Sequence, residues 1–334
     1  MPLHSPPMVG EGRVRSRRVG VATGAPGRRS SKRPVREPLW GNKSMPTIKM
    51  AFAVLAIVLG TSGRPIAVFA QQEIDFPRVI ETAEMQEIMT QRMANEALLV
   101  ALGVDPEINL DRLASSRAVF GRALVGLRDG DRNLGLPVAD AEVRDGVDRA
   151  LGMWERLDEA LRTSIESGQV TTEQVATIAG ISGQLLDAMM ATTDVYEKRA
   201  PGSEHFSMLV AALKTCTRQR LLSQRMTKEY LLVAYGFDPE LHREQLRQSV
   251  VEFDKALDGL INGDLELALL PAPTSEVKRK LLEVLGLWEG ELRPLLSSAA
   301  DGEGVSVDEI NKVTRVNMQL MEEMGIAEAL YEAL

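Results

Sequence analysis

From Phe76 to the last residue, apolar side chains recur at intervals of three and four, among abundant Ala, Leu, Glu, Met, Gln and Arg. That period predicts amphipathic helices, and β-branched alternation is nowhere sustained. Punctuation divides the pattern. Gly103 can end a first helix in a left-handed cap, Asp105 caps the next and Pro106 opens it; Gly236, Asp238 and Pro239 repeat the arrangement. Asp129-Gly130-Asp131 and Asn262-Gly263-Asp264 end the second helices, with Pro137 and Pro271 in the loops that follow. Thr171-Thr172-Glu173 and Ser306-Val307-Asp308 start the fourth helices, and Ala200-Pro201-Gly202-Ser203 is the natural joint between two halves.

The halves are one unit written twice. Gln91 to Pro106 recurs 133 positions later as Gln224 to Pro239, with eleven of sixteen positions identical. The match continues from Phe120 to Phe253, from Leu151-Gly152-Met153-Trp154-Glu155 to Leu285-Gly286-Leu287-Trp288-Glu289, and from Tyr196-Glu197 to Tyr331-Glu332. Short connections imply antiparallel neighbours. The expected fold is therefore all-α, with two tandem antiparallel four-helix bundles related by internal duplication, over residues 71–200 and 204–334. Trp154, Trp288, Tyr196 and Tyr331 read as core anchors with a polar tip, and Met85, Met89, Met93, Met189, Met190, Met318, Met321 and Met324 as core filler.

Upstream, the pattern changes. Lys49, the apolar run Met50 to Leu59, the breakers Gly60 and Pro65, and Val68-Phe69-Ala70 make residues 45–70 an export signal. The run is shorter than the roughly 20 residues a bilayer span needs, with an uncleaved anchor as the alternative. No second apolar candidate follows, so no membrane span is expected after cleavage, and the mature chain is expected in the periplasm or outside. Residues 1–44, rich in Arg, Pro, Gly and Ser, are either a long leader or the result of a start placed ahead of Met45; we favour the second.

Charge narrows the function. Residues 71–334 hold 27 basic and 45 acidic side chains. Such a body makes a poor partner for nucleic acid or an anionic membrane face, although a local arginine cluster can still bind a small anion. Cys216 is the only cysteine, so no intramolecular disulfide forms, and it reads as a small buried hydrophobe. His205 and His242 stand apart without a metal-ligand spacing, and no phosphate loop, nucleophile elbow or catalytic pair appears. No metal, cofactor or enzymatic activity is expected.

Arg218-Gln219-Arg220-Leu221-Leu222-Ser223-Gln224-Arg225-Met226-Thr227-Lys228 resembles the signature of the PilJ/NarX-type N-terminal sensor domains of pilus chemotaxis transducers and nitrate/nitrite sensor kinases. Met85 to Met93 looks like the same element with drift. The resemblance implies four-helix bundles whose signature helices meet to hold a small anion with one arginine from each. Its ligand arginine falls on Arg220 and a second family arginine on Arg225; the first copy has Glu87 and Arg92 in those columns. A carboxylate repels an anion, so the copies are not equivalent at the ligand position.

Read from the residues, Leu209, Leu213, Cys216, Arg220, Ser223, Thr227, Leu231 and Ala234 form one stripe of a helix, and Leu222, Met226, Tyr230 and Val233 a second. A helix with two apolar faces is covered on both, by its own bundle and by something else. Arg218 and Arg225 point away from both stripes, toward solvent or surface acids. Arg220 in a seam needs a partner. The options are an ion pair with Glu87 across a pseudo-dimer of first helices, an anionic ligand held with Ser223 and Thr90, or exposure at a bundle end. The expected function is an exported sensor module that binds a small anion (nitrate, nitrite or a carboxylate) and reports to a separate protein partner. The alternative is a non-catalytic bundle that docks onto another exported or membrane protein, with Glu87 and Arg220 a structural pair.

Overall fold

The computed structural model describes residues 74–201 and 207–334. The basic leader, the export signal, Gly202, Ser203 and His205 lie outside the described residues. The first repeat has α1 (Phe76–Ala101), α2 (Pro106–Asp129), a short strand pair β1 (Gly130–Asp131) and β2 (Leu136–Val138), α3 (Ala141–Ser167) and α4 (Thr172–Arg199). The second has α5 (Met208–Tyr235), α6 (Pro239–Asn262), α7 (Ser275–Leu287), a π-helical turn at Trp288–Leu292, α8 (Arg293–Ala300) and α9 (Val307–Glu332). The all-α, duplicated architecture expected from the apolar period is the one observed.

Local chemistry explains the boundaries. Thr171 and Ser306 form reciprocal capping boxes with Gln174 and Glu309, satisfying free amides at the starts of α4 and α9. Gly236 ends α5 at φ 82, and Gly103 follows α1 at φ 71. Asp105 and Asp238 depart from expectation. Neither side chain caps its helix; both residues instead adopt left-handed backbone, φ 41 and 38, just before Pro106 and Pro239. Aspartate tolerates that conformation better than most side chains, which is its use here.

Two features were not foreseen. Gly130 turns the chain into an antiparallel pair, Asp131 opposite Leu136, and Asp264 bridges Leu269 at the matched place. The third helix of the second repeat widens at Trp288–Leu292, where the Arg293 amide bonds back to the Trp288 carbonyl. Pro294 follows immediately; its missing N–H and bulky ring break the α-helical ladder there. The matched position in α3 is Ala160, and α3 is unbroken.

The core anchors match between repeats. Phe120 meets Trp154 with ring centroids 4.6 Å apart, and Phe253 meets Trp288 at 4.3 Å. The hydroxyls of Tyr196 and Tyr331 donate to the carbonyls of Leu127 and Leu260. Met89, Met93, Met189 and Met324 are buried as expected, whereas Met318 is 55% exposed. Cys216 is fully buried.

The repeats join through their first helices. α1 packs on α2 and α4 of its own bundle and also on α5. Leu98 and Leu99 enter the apolar cluster of the second bundle, and Ile88, Leu186 and Leu221 form a small cluster at the junction. The second face of α5 is therefore covered by the other copy's first helix. Among the described residues, α4 alone is long and apolar enough to cross a membrane, at mean hydropathy 1.2. Composition thus offers a second candidate after all, but α4 packs between α1 and α3 and buries Ile178, Leu185 and Met189 in the bundle core.

Candidate functional site

Each expected site residue sits at or near the α1–α5 seam, yet they do not form one pocket. Arg220 is not paired with Glu87. Its Nη1 donates to Glu328 Oε2 on α9 at 2.8 Å, and Thr217 Oγ1 donates to Glu328 Oε1 at 2.6 Å. The partner comes from the same bundle because α9, not α1, flanks the Arg220 face of α5. Arg220 Nε is buried without a partner. The hydroxyls of Thr90 and Ser223 are fully buried and donate to the carbonyls of Glu87 and Arg220, one turn back on their own helices. Arg218 pairs with Glu252 at 2.8 Å, as a surface arginine was expected to.

Glu87 Oε1 accepts from Thr193 Oγ1 on α4 at 2.6 Å. Burial pushes this carboxyl up to about 7, against the pull of the Thr193 hydrogen bond and of Arg218. One turn earlier, Glu84 is pushed up to about 8 by burial and by the charges of Glu87, Glu197 and Glu328. Both line a cleft of about 350 Å3 between α1, α4 and α5. Its floor is apolar, from Ile88, Met190 and Leu221, and Thr193, Thr215 and Thr217 supply hydroxyls. Asp194 and Glu197 add two more carboxylates on the α4 side, and Lys214 and Arg218 face them from α5. Lys214 is paired with Glu197 at 2.6 Å.

Advancing by 133 residues in the first helices, and by 135 in the fourth, superimposes one repeat on the other in sequence. Glu87 becomes Arg220, Thr193 becomes Glu328 and Glu84 becomes Thr217. The hydrogen bond Glu87–Thr193 and the ion pair Arg220–Glu328 are thus one structural position with its chemistry exchanged.

The residues the sequence reading passed over are Glu96 and Glu229, identical across the repeats and only 5% and 1% exposed. Glu96 accepts from Arg92 Nε at 2.9 Å and from Ser116 Oγ at 3.0 Å, and burial leaves its carboxyl raised. Glu229 accepts from Lys228 at 3.1 Å and contacts His242 Nδ1, and a Gln245 amide nitrogen turned toward it lies 2.9 Å away. Burial opposes its charge, but the hydrogen bond with His242 and the charge of Lys228 hold the carboxyl below its ordinary range. The repeat alignment itself marked these glutamates as identical. Arg225, the counterpart of Arg92, is half-buried one turn before Glu229 on α5 and has no ion-pair partner among the described residues. At the seam, Asn95 Nδ2 donates to both the backbone and the side-chain oxygen of Gln224, at 3.0 and 2.9 Å, and pins the two signature segments together.

The described residues thus form a duplicated, all-helical bundle with a cleft at the junction of its signature helices. The family model for the N-terminal domain of type IV pili methyl-accepting chemotaxis transducers (PilJ) matches it twice, at residues 77–179 and 211–312. The chain belongs to that family. No curated protein matches it in sequence.

Proposed function

We propose that this chain is an exported, non-catalytic sensor module that takes up a small ligand at the junction of its two repeats and reports to a separate protein partner. The observation that carries the reading is the cleft at the seam, where α1 and α4 of one repeat meet α5 of the other. A ligand there touches three helices and both repeats, so its binding favours one packing of the bundles over another. The finer, nitrate-sensor-like reading is a small anion on Arg220. Its support is the buried, unpartnered Nε; against it, Glu328 already holds the guanidinium, and an anion has to displace that carboxylate. The geometry therefore favours the cleft over Arg220 as the ligand seat.

A thermal-shift screen of nitrate, nitrite, small carboxylates and small amines tests this. A ligand at 100 times its dissociation constant stabilises the native state by about 2.7 kcal/mol. The shift is expected to survive Arg220→Ala and to vanish in Thr215→Trp, which fills the cleft. A shift lost in Arg220→Ala and kept in Thr215→Trp would move the seat to the arginine. No shift with any compound, alongside a co-purifying protein, would replace the sensor reading with the docking one.

A further inference from the structure

The two repeats place different charges at one structural position, and the difference specifies what the open cleft lacks. In the second repeat, a carboxylate on α9 meets a guanidinium on α5 at 2.8 Å. In the first, the carboxylate is on α1, Glu87 is only 8% exposed, and its contact on α4 is a neutral hydroxyl. Glu84 stands one turn away, half-buried and facing the same space. The two cations at the cleft are already engaged, Lys214 with Glu197 and Arg218 with Glu252. Buried carboxylates without a contacting cation are costly in the charged state, and here they border a volume of about 350 Å3 above an apolar floor of Ile88, Met190 and Leu221.

We propose that the cleft is the seat of a small organic cation, an ammonium or guanidinium on a short apolar body, whose charge pairs with Glu87 and Glu84 as Arg220 pairs with Glu328 in the second repeat. This rests on the cleft being the ligand seat, as argued above, and adds the ligand's class. Among the described residues no three acidic, His or Cys side chains converge as a metal ion requires, so the acids suit a larger, organic charge. The apolar floor takes the ligand's carbon body, while Thr193 and Thr215 offer oxygens to its N–H groups.

Charge pairing also sets the pH dependence. Glu87 is faced by Glu84 on its own helix, by Thr193, Asp194 and Glu197 on α4, by Lys214 and Arg218 on α5, and by the field of Glu328 on α9 reaching Glu84. Glu87 and Glu84 titrate near 7 and 8 in the free protein, so a cation binding at neutral pH expels protons from them. Affinity rises with pH from 6 to 8.5.

Calorimetry on the purified chain with n-butylammonium and agmatine, against butyrate and nitrate, is the test. The expected result is saturable binding of the cations, proton release at pH 7, and roughly tenfold or greater weakening in the near-isosteric Glu87→Gln. Arg220→Ala does not weaken cation binding, because it removes a positive charge and leaves Glu328, whose charge reaches Glu84, uncompensated. Glu84→Gln is the second variant, in case Glu87→Gln does not fold. Two outcomes overturn the proposal: no cation binding up to 10 mM, set as about tenfold above the millimolar range of weak ligands, or equal affinity in both glutamine variants. If butyrate or nitrate binds in the cleft instead, the cation assignment falls while the ligand-sensing reading stands.

Discussion

In the first repeat, the position beside the open cleft carries two protonatable carboxyls, whereas the matched position in the second carries an internal ion pair. Glu87 with Thr193 leaves an acid seeking charge, whereas Arg220 with Glu328 supplies both charges from the chain. Duplication followed by divergence has thus given the second repeat both charges of an ion pair and the first a carboxyl on a neutral hydroxyl. The buried glutamates diverge in the same sense. Glu229 is fully engaged by Lys228 and His242, while Glu96 relies on a half-exposed Arg92 and a serine.

The largest effect that can break this comparison lies at those glutamates. Glu229→Ala strands Lys228 and His242 in the core and is expected to cost about 3–5 kcal/mol. Glu96→Ala removes a carboxyl whose charge burial already opposes, and is expected to cost about half as much. Urea denaturation of both variants checks the ratio; equal losses would mean the repeats are energetically alike. Next is the groove pair itself. Glu328→Ala leaves the half-buried Arg220 without its ion-pair partner and is expected to cost about 2–3 kcal/mol, against about 1 kcal/mol for Thr193→Val, which breaks the hydrogen bond to Glu87. The same denaturation series measures both.

The last test is in pH. Glu84 and Glu87 bind protons in the folded chain up to about 8 and 7, while their ordinary value is 4.5. Unfolding between those limits releases protons, so their stabilisation is complete below about 4.5 and is lost as pH rises through 7 and 8. Melting temperatures measured from pH 5.5 to 8.5 are expected to fall, and the double variant Glu84→Gln/Glu87→Gln to remove several degrees of that fall. An unchanged slope would show that these carboxyls ionise as freely as surface ones.

Much of the architecture was legible before any coordinates. Three- and four-residue spacing gave the helices, glycine and proline gave their ends, and the repeat of Gln91 to Pro106 at Gln224 to Pro239 gave the duplication. The two apolar faces of the Arg220 helix correctly demanded a second cover, which α1 provides. The partner of Arg220 was not legible, because it lies on α9, 108 residues further on, and no spacing along α5 points to it. Aligning the fourth helices column by column would have set Thr193 against Glu328 and exposed the exchange.

Local sequence therefore determined what depends on neighbours along the chain: helical period, caps, breaks and the existence of two copies. Tertiary structure alone decided which charges meet. An arginine's reach spans several helices, and its partner is selected by desolvation and geometry across the whole packed seam, not by spacing along one helix.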